Sequence, residues 1–133
     1  MALMYQMDRP NGLVTITGEY ATSDEWLALC TAILRDPQFR PGFSFIRDMR
    51  GAVPPARDET VFETYRVVQQ FWDRLEIRRA ALVTEVAIFK LAHALAVEQA
   101  LSARPVRAFT QYDDAIRWLQ ESDGGAATAA SDR

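Results

Sequence analysis

Cysteine, histidine and lysine occur once each in this 133-residue chain, as Cys30, His93 and Lys90. A single cysteine cannot form an internal disulfide. One cysteine and one histidine are too few ligands for a zinc or soft-metal cluster, and the carboxylates lack calcium-loop spacing, so no metal is expected. Glycine is sparse as well, with six residues, and Gly51 and Gly124-Gly125 make neither a GxGxxG nor a P-loop pattern. That removes the usual nucleotide fingerprints and leaves no cofactor to predict. No apolar run approaches the roughly 18 residues that span a bilayer, and the start MALMYQMDRP has no basic segment followed by an apolar one. No transmembrane segment is expected, and a soluble, cytoplasmic protein is. Positive charge is not in excess either: 15 basic against 18 acidic residues leave a net charge of -3, unlike a dedicated nucleic-acid binder.

What the chain does have is enough apolar material, 49% of its residues, for one domain that folds without disulfides or metal. Two short runs around Pro10-Asn11-Gly12 read as a β-hairpin with strands near 3–8 and 13–19. Thr22 and Glu25 form a capping box that starts a helix. In it Trp26, Leu29, Cys30, Ile33 and Leu34 make one apolar stripe, and Asp36-Pro37 ends it. Phe43 to Asp48 reads as a buried strand followed by a loop to Arg57 with Pro54-Pro55 at its centre. A second capping box, Thr60 with Glu63, starts the next helix, with Asp58 as the alternative cap.

The stretch 78–84 is basic at its start and apolar in its middle, as a central strand buried on both faces would be. A helix over 86–101 carries two apolar stripes, Ile88, Leu91, Ala92, Leu95 and Ala96 on one and Val86, Phe89, His93 and Val97 on the other. A helix apolar on two faces is central or covered by a partner, which makes Phe89, His93 and Val97 candidate homodimer contacts, the alternative being cover by a neighbouring helix or the C-terminal segment of the same chain. A strand over 105–110 and a last helix opening on Asp113 and Asp114 follow. The order ββαβαβαβα predicts a single α/β domain over 1–121 with a mixed, mostly parallel sheet. The small, polar segment 122–133 has no periodicity and reads as a disordered tail.

LVTITGEYATSDEW, LRDPQFRPGFSFIRDMRG and VRAFTQYDDAIRWL together resemble the SpoIIAA-like branch of the bacterial STAS domain superfamily. The most specific pieces are Asp36-Pro37-Gln38-Phe39 leading to a strand that ends at Asp48, and Phe109 followed by 113–119. The resemblance implies a four- or five-stranded sheet with helices, and a non-enzymatic, regulatory protein-binding role. It also implies a serine phosphorylated at the start of the helix after the central strand. Here 48–60 contains no serine, and Thr60 is its only hydroxyl.

In open parallel sheets ligands gather beyond the carboxyl ends of the strands, near a topological switch point. That edge carries Glu19, Tyr20, Asp48, Arg50, Thr84, Glu85 and Thr110, of which Asp48, Arg50, Thr84 and Glu85, with Arg57, make the candidate site for a ligand or partner. Arg47, Arg50 and Arg57 could clamp an anion beside a helix N-terminus. The alternative pairs them with Asp48, Asp58 and Glu59. His93 has Phe89 and Val97 a turn away and no nucleophile or acid to work with, so packing or an interface is its role. Cys30 sits in an apolar stripe, where a thiol is inert, and Trp26, Trp72 and Trp118 fall at core spacing. No catalytic residue emerges. A protein-interaction module is the expected function, with a carrier of a lipid-like or anionic small ligand as the alternative, its charged end held by Arg50 or Arg57. An enzyme would need Asp48 or Glu85 as a base of raised pKa.

Overall fold

The computed structural model describes residues 3–100 and 105–121. Strands β1 (Leu3–Asp8) and β2 (Leu13–Gly18) form the antiparallel hairpin, in register from Leu3 opposite Gly18 to Asp8 opposite Leu13. The Asp8 carboxylate accepts hydrogen bonds from the Asn11 backbone and side-chain amides, and Gly12 takes the left-handed conformation the turn requires. Helix α1 (Ser23–Arg35) starts on the expected capping box, with the Glu25 N–H donating to Thr22 and the Thr22 N–H to the Glu25 carboxylate. Then come β3 (Ser44–Asp48), α2 (Asp58–Leu75), β4 (Ala80–Val83), a 3-10 turn (Val86–Ile88), α3 (Phe89–Ala100), β5 (Val106–Phe109) and α4 (Tyr112–Gln120).

The sheet runs β1-β2-β3-β4-β5, with β2 to β5 all parallel. Each right-handed crossover advances one strand in the same direction, which puts α1, α2 and α3 on one face. Side chains alternate accordingly. Val14, Ile16, Phe45, Ala80 and Leu82 enter the large core beneath those helices, while Ile46, Ala81 and Val83 meet Ala115, Trp118 and Leu119 of α4 on the other face. All four β4 residues are buried, the reason their run is apolar throughout.

Four expectations are corrected. Helix α2 begins at Asp58 after an extended Arg57 that makes no side-chain cap. Thr60 and Glu63 therefore lie inside it and form no capping box; Asp58 and Glu59 instead place negative charge at the positive end of the helix dipole. Arg78 and Arg79 precede β4 rather than belonging to it, and they reach across to the C-terminus of α4. Arg79, buried, donates to the Trp118 carbonyl at 2.6 Å, and Arg78 donates to the Leu119 carbonyl at 2.6 Å and to that of Glu121. The helix expected over 86–101 is divided into the 3-10 turn and α3, and residue 101 lies outside the described residues. Because the strand order never reverses between β2 and β5, the sheet has no switch point there. The tail 122–133 also lies outside the described residues.

Candidate functional site

The parallel strands all end on one edge, where their loops meet. After β3, Asp48 turns back on Arg50: the guanidinium donates to both carboxylate oxygens, at 2.9 Å and 2.8 Å, and the Arg50 amide donates to Oδ1 at 3.1 Å. This bidentate pair, chiefly through the Arg50 side chain, holds the Asp48 carboxyl below the usual carboxylate range, against the opposing pull of partial burial. Arg50 also lies over the Tyr112 ring at 5.2 Å. The next amide, of Gly51, donates to the Glu85 carboxylate at 2.6 Å, which fastens the loop after β3 to the loop after β4. Thr84 is fully buried, and among the described residues its hydroxyl has no partner.

The arginines do not converge into a clamp. Arg57 is exposed beside Glu59, 3.3 Å away, and Arg50 is taken up by Asp48. Arg47 is buried, with its guanidinium donating to the carbonyls of Gly18, Glu19 and Asp48 at 2.9 to 3.2 Å and lying 5.4 Å from the Trp26 ring centre. Asp48, Arg50, Thr84 and Glu85 thus share the edge, while Arg57 stands apart at the start of α2. The outer stripe is open at Val86, 79% exposed, His93 and Val97, 51% exposed, and Phe89 is half-buried with its ring stacked on His93.

A feature absent from the sequence reading lies beside this edge. A cavity of about 330 Å³ opens between the starts of α1 and α2, lined among others by Tyr20, Thr22, Trp26, Thr60, Thr64 and Tyr65. Beneath it a void of about 20 Å³ touches Trp26, Tyr65 and Arg47. Tyr65 is buried with its hydroxyl on the Arg47 guanidinium, and among the described residues the Tyr20 hydroxyl has no hydrogen-bond partner. Burial pushes both phenols up, Tyr20 to about 12, while the Arg47 charge pulls each down. The only sequence signal for this site is that Tyr20 and Thr22 follow β2 while Thr60, Thr64 and Tyr65 share the first turns of α2; no spacing rule joins the two sets.

No protein-family model matches the chain, and no curated protein sequence does. Among solved structures the chain is similar to an uncharacterized protein of the DUF3478 family with a SpoIIAA-like fold from Shewanella loihica PV-4. The two share 12% identity over 89% of this chain and 92% of that one, with a TM-score of 0.58. At that identity the likeness shows the fold alone: this is a single-domain α/β protein with a SpoIIAA-like fold. Among the described residues no helix is long and apolar enough to cross a membrane.

Proposed function

We propose that the chain is a non-enzymatic, STAS-like regulatory module of the bacterial cytoplasm that binds a protein partner through the loops after β3 and β4. The observation that carries this reading is a pair of bare valines on that edge. Val53 is 76% exposed in the first loop and Val86 is 79% exposed just past the second. Both lie within two residues of the Gly51–Glu85 hydrogen bond, which holds the loops together. Large apolar side chains held in water on tethered loops are what an interface core presents before its partner arrives. Asp48, Arg50 and Glu85 supply a polar rim. A phosphoserine switch is not part of the reading, since 48–60 holds no serine. Phe89, His93 and Val97 along α3 serve, in the same proposal, as a homodimer contact.

The test is crosslinking in a native lysate with wild type and with a Val53→Glu, Val86→Glu double variant. Wild type is expected to give a discrete protein adduct that the folded double variant loses. An identical crosslinking pattern for both, or turnover of a small substrate without any adduct, overturns it.

A second reading, small-ligand binding, is favoured by the cavity between α1 and α2. Neither Arg50 nor Arg57, the residues expected to fix a charged end, lines it.

A further inference from the structure

Buried donors without acceptors are rare, because each forfeits its hydration without recovering a hydrogen bond. Here, among the described residues, the Tyr20 hydroxyl has no partner, and the Tyr65 hydroxyl, which meets the Arg47 guanidinium, has no acceptor for its own proton. Tyr65 is 3% exposed and lines both the outer cavity and the void that reaches Arg47. Arg47 is itself buried, with main-chain carbonyls and the Tyr65 hydroxyl as its hydrogen-bond partners, and no described carboxylate lies within ion-pairing distance of it. A guanidinium is always charged, so the small void that shares Trp26 and Tyr65 with the cavity carries a positive charge without a paired anion. The first turn of α2, which contributes Thr60 to the cavity wall, has no side-chain cap.

We infer that this cavity binds a small organic monocarboxylate, whose carboxylate accepts hydrogen bonds from the Tyr20 and Tyr65 hydroxyls in the field of Arg47. The inference deepens the small-ligand reading and rests on it. Phenols held in the protonated form, Tyr20 up to about 12, stay donors throughout the physiological range. The walls set the rest of the ligand: Trp26, Val61, Ala21 and Pro55 are apolar, and about 330 Å³ admits a single ring or a short branched chain. Charge sets its valence. Glu25 lines the mouth, its carboxylate engaged by Thr22, and Asp58 and Glu85 act on Tyr20 from nearby. These acids repel a dianion such as phosphate more strongly than a monoanion.

Benzoate is the probe, followed by calorimetry and by the fluorescence of Trp26 in the cavity wall, against benzyl alcohol as its neutral counterpart. Benzoate is expected to bind at about 1 mM or tighter, and benzyl alcohol about tenfold more weakly. Tyr65→Phe keeps the cavity's shape and removes one donor, so benzoate affinity falls about tenfold while the melting temperature holds or rises. Tyr20→Phe weakens binding in the same direction. Equal binding of benzyl alcohol, or undiminished benzoate binding by folded Tyr65→Phe, overturns the carboxylate assignment and leaves a cavity for neutral ligands. Absence of saturable binding by either probe overturns the ligand-binding reading as well.

Discussion

A thiol reacts as its thiolate, and burial works against the charged form. Cys30 is buried in the stripe of α1, and desolvation alone pushes its thiol up to about 12. At pH 8 the native protein is therefore expected to leave a thiol reagent unreacted until it is unfolded in guanidinium, when one equivalent is consumed. Rapid labelling of the folded chain would place Cys30 on the surface. Asp48 has the opposite shift. Its folded carboxyl is held below the ordinary value of 3.8 by the Arg50 pair, so the native state binds its proton less readily than the unfolded one. The pair thus contributes stability above about pH 4 that is lost as pH falls through the depressed native value. Asp48→Asn should lower the midpoint of urea unfolding at pH 7, and the gap to wild type should close toward pH 3. A gap that stays constant with pH would mean that the pair contributes nothing through charge.

At the scale of elements, α1 shows how a stripe read from spacing divides once it meets a sheet. Trp26, Cys30 and Ile33 are buried, whereas Leu29 and Leu34 are half-buried at its margin. Ile33→Ala is accordingly expected to cost about 2–5 kcal/mol, the range for deleting a fully buried branched side chain. Leu29→Ala, from the same stripe, should cost about 1–2 kcal/mol, since part of its surface is already wet. Equal losses in chemical denaturation would contradict the packing of this face. On the other face α4 is held by Arg79, which bonds the Trp118 carbonyl and lies over the Trp118 ring at 5.2 Å. Arg79→Met keeps the stem and removes the donor. A loss of about 2 kcal/mol is expected, read as a shifted unfolding midpoint with unchanged slope.

For the whole molecule the open question of surface is the stripe along α3. One stripe of this helix is spent on the core, where Ala92, Leu95 and Ala96 are buried, and Val97 on the other is 51% exposed. A two-fold contact would cover the second stripe with the same patch from another copy. Sedimentation at micromolar concentration is expected to give a dimer for wild type and a folded monomer for Phe89→Glu. A monomeric wild type, or a variant that simply unfolds because half-buried Phe89 belongs to the interior, removes this interface.

Local chemistry sufficed for most of the fold. The Asn-Gly hairpin, the Thr22–Glu25 box, the Asp36-Pro37 stop and the apolar run of β4 each act within a few residues, and together they determine the element order and a mostly parallel sheet. Hydroxyls and charges compete less locally, and there the tertiary structure decided. Thr60 and Glu63 have capping-box spacing, yet α2 starts at Asp58, three residues before a helix capped by Thr60 would, so Thr60 lies inside the first turn and not at the cap. Arg78 and Arg79 look like the start of a strand, but α4, some forty residues later, presents carbonyls that need donors. The three arginines at the carboxyl edge carry the same charge in sequence. Only packing separates Arg47, buried under the sheet's helices, from Arg50, neutralised by Asp48, and Arg57, left in water. The cavity is the extreme case. Tyr20 and Tyr65 stand 45 positions apart, and nothing along the chain relates them. They share a site because parallel crossovers bring the starts of α1 and α2 to one edge, and that is a property of the assembled sheet.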